Sequence, residues 1–102
     1  MATPEARVKK KVTDLLKKLG VYYFCPQSGG YGKSGVPDIV VCAAGHFVGI
    51  ECKAGGGVLT KLQEAQLEQI EKAGGTAYVV NEKTFWAFES TFTDEVRNWL
   101  GG

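Results

Sequence analysis

Two carboxylates and a lysine stand where strands should be apolar. Residues 36–43 read VPDIVVCA and residues 46–53 read HFVGIECK, two largely β-branched runs joined by a tight Ala-Gly-His turn. The pattern predicts an antiparallel hairpin over about 36–43 and 46–53. Side chains alternate faces along a strand, so Asp38 shares one face with Val40 and Cys42 while Pro37, Ile39 and Val41 take the other. On the partner strand Glu51 and Lys53 fall with Phe47 and Gly49, opposite Val48, Ile50 and Cys52. Either half alone is a weak signal, since Pro-Asp often opens a turn and Glu-x-Lys arises by chance. Frayed strand ends in water, or one internal ion pair, would account for these charges. Their combination on one hairpin is more specific. Two carboxylates brought together raise one pKa sharply unless something compensates. A divalent cation relieves that repulsion, and oxygen ligands select Mg²⁺ or Mn²⁺ over softer metals.

Just before the hairpin, residues 28–35 read SGGYGKSG, which suggests a phosphate-cradling loop. Such a loop needs a glycine five residues before Gly-Lys-Ser, and that position is Gln27. Its lysine must also open a helix whose N-terminus faces the anion. Gly35-Val36-Pro37 and the β-branched run behind them oppose a helix there. The segment reads instead as a lysine-bearing arm beside the hairpin, and no nucleotide cofactor is expected.

Two residues on predicted helices add to the set. Glu5 lies three and seven positions before Val8 and Val12, on the apolar stripe of the first helix, where a glutamate also suits the helix dipole. Gln63 shares a stripe with Leu67 and Ile70. A buried polar group there needs a partner, which a cap or a water can supply.

The elements that must position these residues follow from capping and periodicity. Thr3 and Pro4 start a helix that carries Val8, Val12, Leu15, Leu16 and Leu19 and stops at Gly20. VYYFC (21–25) reads as a strand. Thr60 caps a second helix with Leu62, Leu67 and Ile70, closed by Gly74-Gly75. TAYVV (76–80) is a strand, TFWAF (84–88) a further one, and TDEVRNWL (93–100) a short C-terminal helix. The expected architecture is an α/β layer fold, a mixed β-sheet flanked by α-helices.

At 102 residues the chain is expected to be one domain, 1–102. No apolar run approaches the roughly 20 residues that span a bilayer, and no apolar segment follows the basic N-terminus as in a signal peptide. The expectation is a soluble, cytoplasmic protein with no membrane partner. Cys25, Cys42 and Cys52 form no CxxC pair and are an odd number, so neither a zinc knuckle nor a closed disulfide set is indicated. Their neighbours suggest small buried hydrophobes. His46, the single histidine, reads as a turn residue. The net charge of +1 is unevenly spread: Arg7, Lys9, Lys10, Lys11, Lys17 and Lys18 are opposed only by Asp14, while Glu64, Glu68 and Glu71 dominate a later segment. Such a run is usually a solvated helix face, and alone it is weak evidence for nucleic acid.

The ordered set Glu5, GVPDIV, GIECKAG and LTKLQ…KAGG resembles the PD-(D/E)xK nuclease superfamily, and within it the VRR-NUC (virus-type replication-repair nuclease) branch. The likeness covers nearly the whole chain, with no departure at a catalytic position. It implies a restriction-endonuclease-like core and a metal held by Asp38, Glu51 and the Cys52 backbone carbonyl, with Glu5 contributing directly or through water. Lys53 would orient or deprotonate the attacking water, and Gln63 would help to position it, with Gln66 as the rival for that role. Backbone-contacting cations are then expected. Lys9, Lys10, Lys33, Ser34 and Lys61 are candidates, with Tyr31 available to stack on an unpaired base or to plug the loop.

Stand-alone proteins of this branch in phages and bacteria resemble junction resolvases. The expectation is therefore an Mg²⁺- or Mn²⁺-dependent, structure-selective DNA endonuclease that acts as a homodimer on branched DNA such as Holliday junctions. A two-fold dimer matches the symmetry of a four-way junction. The alternatives are a nicking or end-processing nuclease on flaps or duplex, and a non-catalytic DNA-binding module on the same fold. Phe85, Trp86, Phe88, Phe92 and Trp99 are equally suited to a dimer patch or to the core.

Overall fold

The computed structural model describes residues 3–27 and 34–101. Helix α1 spans Pro4–Leu19. Thr3 Oγ1 accepts from the Ala6 N–H at 3.1 Å, proline fills the first turn, and Gly20 closes the helix at φ +72° with its N–H on the Leu16 and Lys17 carbonyls. Strands β1 (Tyr22–Phe24), β2 (Ile39–Ala43) and β3 (His46–Cys52) follow, then α2 (Lys61–Lys72), β4 (Thr76–Val80) and α3 (Phe85–Gly101).

The sheet order is β1-β2-β3-β4, with β1, β2 and β3 successively antiparallel and β4 parallel to β3. Helix α2 makes the crossover that a parallel pair requires. Ala44 (φ 51°) and Gly45 (φ 82°) form the two-residue turn of the hairpin, both with the positive φ that matches the twist of the strands. The register pairs Ile39 with Ile50 and Val41 with Val48, which puts the apolar sets of both strands on one face. That face packs against Val8, Val12, Leu15 and Leu16 of α1 and Phe85, Phe88, Phe92 and Val96 of α3, all buried. Helix α2 lies on the other face, where Gly49 admits it: a Cβ at Gly49 would stand 2.6 Å from Ile70 Cδ1 and 2.9 Å from Pro37 Cγ.

Four expectations need correction. TFWAF is not a strand, and no separate helix begins near Thr93; one helix runs Phe85–Gly101. Asn81 makes the turn into it, its Oδ1 accepting from the Lys83 and Thr84 N–H groups and its carbonyl from Phe85 N–H. Phe85, Phe88, Phe92 and Val96 then bury one helical stripe, while Trp86 is 71 % exposed. Pro37 does not share the face of Ile39, because β2 begins only at Ile39 and the chain before it bends across to Gly49. Cys25 and Cys42 are exposed, since Cys42 points away from the core face and Cys25 lies past β1; only Cys52 is buried. His46 is the first residue of β3, and its ring stacks on Trp99 at 4.3 Å.

Candidate active site

The site forms where the β2–β3 ladder stops. Extending the register by two residues from Ile39 and Ile50 would set Pro37 opposite Cys52, and proline has no N–H to give the ladder. The Cys52 N–H donates instead to Asp38 Oδ2 at 2.8 Å. On the other side, Lys53 N–H donates to the Val80 carbonyl at 2.9 Å. In a parallel ladder this means that residues 51 and 53 turn their backbone groups toward β4, while Cys52 turns both of its own toward Asp38. The Cys52 carbonyl thus points to the same side as the Asp38 carboxylate, at a position where proline offers no donor.

Glu51 completes the pair of acids. It is 1 % exposed, the one charged side chain in the buried class among the described residues. Burial, then the adjacent Asp38 carboxylate as hydrogen-bond partner and as a like charge, pushes its carboxyl up to about 8 against the opposing pull of the Lys53 ammonium. Burial, then the charges of Asp38 and Glu51, pushes the Cys52 thiol up to about 12, so that side chain stays a neutral core group. A cleft of about 220 Å³ opens beside these residues, lined by Thr3, Glu5, Ala6, Lys9, Asp38 and Cys52. Glu5 is exposed in the first turn of α1, beyond the edge of the core, and Lys53 is half-buried.

Among the described residues no group of three or more His, Cys, Asp or Glu side chains is gathered to hold a metal ion. The fit to a hard divalent cation therefore rests on two carboxylates and one main-chain carbonyl, an all-oxygen set. A buried carboxyl held far above its usual range beside a second acid is the electrostatic condition that such a cation relieves.

Gln63 caps its own helix. Its Oε1 accepts from Thr60 N–H at 2.9 Å while Thr60 Oγ1 accepts from Gln63 N–H at 3.2 Å, a reciprocal capping box at the start of α2. Gln66 lines a different cavity with Phe47, Ile70 and Gly75. Of the candidate DNA contacts, Lys9 borders the cleft, Lys10 pairs with Asp14 at 2.8 Å, and Ser34 and Lys61 are exposed. Tyr31 and Lys33 lie outside the described residues. Sequence reasoning missed Glu82, whose carboxylate accepts the Gly55 N–H at 2.8 and 3.1 Å and so fixes the turn just after Lys53. No local signal marks a partner 27 residues away.

A mixed four-stranded sheet that carries Pro-Asp and Glu-x-Lys at the ends of adjacent strands is the restriction-endonuclease-like core of a PD-(D/E)xK nuclease. Residues 6–92 match the profile of the archaeal Holliday junction resolvase (Hjc) family, and the chain belongs to that family. It is a structure-selective DNA endonuclease, a hydrolase acting on DNA, of a family whose members are typically dependent on a divalent metal. Among solved structures, the fold is similar to a VRR_NUC domain protein at 22 % identity and a TM-score of 0.60, covering 79 % of each chain. No curated protein matches. No helix among the described residues is long and apolar enough to cross a membrane.

Proposed function

We propose that this chain, acting as one nuclease domain over residues 1–102, hydrolyses phosphodiester bonds at four-way DNA junctions as an Mg²⁺- or Mn²⁺-dependent homodimer. Asp38, Glu51 and the Cys52 carbonyl hold the cation, and Glu5 faces the same cleft to contribute directly or through water. When bound, the cation neutralises charge at the scissile phosphate and acidifies the attacking water.

The observation that carries this reading is the Asp38 carboxylate fixed on Cys52 N–H beside the buried Glu51. One oxygen of Asp38 is anchored by the backbone, which orients the carboxylate. Glu51 must lose its proton before it can act as a ligand, and the Lys53 ammonium favours that loss. Lys53 follows directly on the strand, its charge acting on Glu51, and serves to orient or deprotonate the attacking water. Lys9, at the border of the cleft, is suited to a backbone phosphate.

The test is cleavage of an end-labelled four-way junction beside matched duplex and flap substrates, with Mg²⁺, Mn²⁺ or EDTA. Lys53→Ala and Asp38→Asn proteins run alongside, each checked for folding. Paired symmetric nicks on the junction, lost with EDTA and in both variants, are the expected result. Preferred cutting of flaps or linear duplex would overturn the junction assignment while keeping the nuclease.

A further inference from the structure

A second feature lies on the opposite flank of α1. A groove of about 300 Å³ runs between α1 and α3, lined by Lys11, Asp14, Leu15 and Lys18 on one side and Phe85, Trp86 and Glu89 on the other. It meets at Lys11 a further cleft of about 380 Å³ that includes Pro4, Arg7, Gly55 and Glu82. Both clefts share Lys11 and lie on the flank of α1 away from the Asp38 cleft.

The two linings carry three cations, Arg7, Lys11 and Lys18, and three acids, Asp14, Glu82 and Glu89, but the cations are aligned. Arg7, Lys11 and Lys18 stand at i, i+4 and i+11, one stripe of the helix. The ion pairs among the described residues are Lys10–Asp14 and Lys72–Glu68, so these three cations hold no carboxylate. Of the acids beside them, Asp14 is paired with Lys10, Glu82 accepts the Gly55 N–H, and Glu89 makes no ion pair among the described residues. The Lys11 ammonium lies 5.9 Å from the centre of the Phe85 ring, which draws it into the groove. Next to it the Trp86 indole is 71 % exposed, an unusual placement for the largest apolar side chain. Unpaired cations in line beside an open indole recognise a chain that carries both phosphates and flat bases. A groove of this size takes one strand rather than a duplex.

We infer that the α1–α3 groove is a second nucleic-acid site that takes a single unpaired DNA strand, with phosphates along Arg7, Lys11 and Lys18 and a base stacked on Trp86. The inference rests on the nuclease reading for its purpose, since branched DNA presents unpaired strands beside the point of cutting. The binding itself is measurable without cleavage.

The experiment is a titration of a fluorescein-labelled 15-nucleotide oligo-dT into the full chain in EDTA, followed by anisotropy and by tryptophan emission, at several salt concentrations. Trp86→Ala is expected to weaken binding about tenfold or more and to remove the quenching, whereas Trp99→Phe keeps it. Lys11→Gln with Lys18→Gln is expected to lower the slope of log affinity against log salt by about 1.4, at 0.7 per phosphate contact on a single strand. Lys17→Gln with Lys72→Gln removes the same charge elsewhere and is expected to leave the slope unchanged. An equal loss from both lysine pairs, or unaltered affinity in Trp86→Ala, would overturn the proposal. So would a Trp86→Ala protein whose solution mass changes while its oligo-dT affinity does not, since the groove would then join two copies. Junction cleavage by the unaltered protein is read separately: its failure with oligo-dT binding intact removes the nuclease reading and leaves the groove.

Discussion

The backbone N–H of Cys52 lies 2.8 Å from Oδ2 of Asp38, so a side chain takes the place that a strand partner fills two residues earlier in the ladder. This gives Asp38 a structural role that can be separated from its chemical one. Asp38→Asn keeps an acceptor and relieves the repulsion on Glu51, and is expected to be at least as stable as the natural protein at pH 8. Asp38→Ala leaves the Cys52 N–H without its partner and is expected to lose about 1–3 kcal/mol. Urea unfolding measures both, and neither variant is expected to cleave.

The raised carboxyl of Glu51 sets the pH dependence of the metal-free protein. Its folded value of about 8 lies above its ordinary 4.5, so the folded state binds that proton more tightly than the unfolded chain does. The stability it contributes is fully present below pH 4.5 and is lost as the pH rises through about 8. Melting temperatures in EDTA are expected to fall across this window and to flatten in Glu51→Gln. Added Mg²⁺ or Mn²⁺ is expected to stabilise the protein more at pH 8 than at pH 6, because binding must displace the Glu51 proton.

Lys53 offers a test of coupling. Its charge lowers the Glu51 pKa, so Lys53→Met is expected to raise that pKa further. Cleavage should be lost in this variant, and metal-induced stabilisation should need a higher pH than in the natural protein. An unshifted pH profile would show that the ammonium does not act on Glu51.

Gln63 poses a choice between cap and catalyst. Thr60→Ala and Gln63→Ala each break the capping box and are expected to cost about 1 kcal/mol. Gln63→Glu keeps the reaching oxygen, and if capping is its whole role both stability and cleavage rate are retained. Loss of cleavage in a stable Gln63→Glu protein would assign the amide to the site instead.

Much of this architecture is legible in the sequence because its ends are chemically marked. Thr3-Pro4 and Gly20 bracket α1, Thr60 and Gly74 bracket α2, and Ala-Gly makes the hairpin turn. The nearness of Asp38 to Glu51 follows from strand register alone. Helix α3 was hidden because Phe85-Trp86-Ala-Phe88 is an aromatic run with β propensity, and its helical period emerges only when Phe92 and Val96 are read with it. Packing against α1 decides the matter. The Glu82–Gly55 bond and the bend at Pro37 depend on contacts between distant segments or on a lost strand pair, which no local pattern encodes.

Gly35 is expected to be the least replaceable glycine near the site. Its φ is +78°, and a Cβ there would stand 2.6 Å from the Leu62 backbone carbon. Gly35→Ala should therefore shift the segment leading to Asp38, lowering both thermal stability and cleavage.

Glu51 stands on β3, an interior strand between β2 and β4 with every residue from Val48 to Cys52 buried. Amides on such a strand exchange with solvent only when the whole molecule opens, whereas the three-residue edge strand β1 can fray alone. The reactive carboxylate thus has no local unfolding route of its own. Heat should silence the enzyme at the same temperature at which it unfolds the core, and any substitution that weakens the distant packing of α3 will surface first as lost cutting rather than as altered specificity.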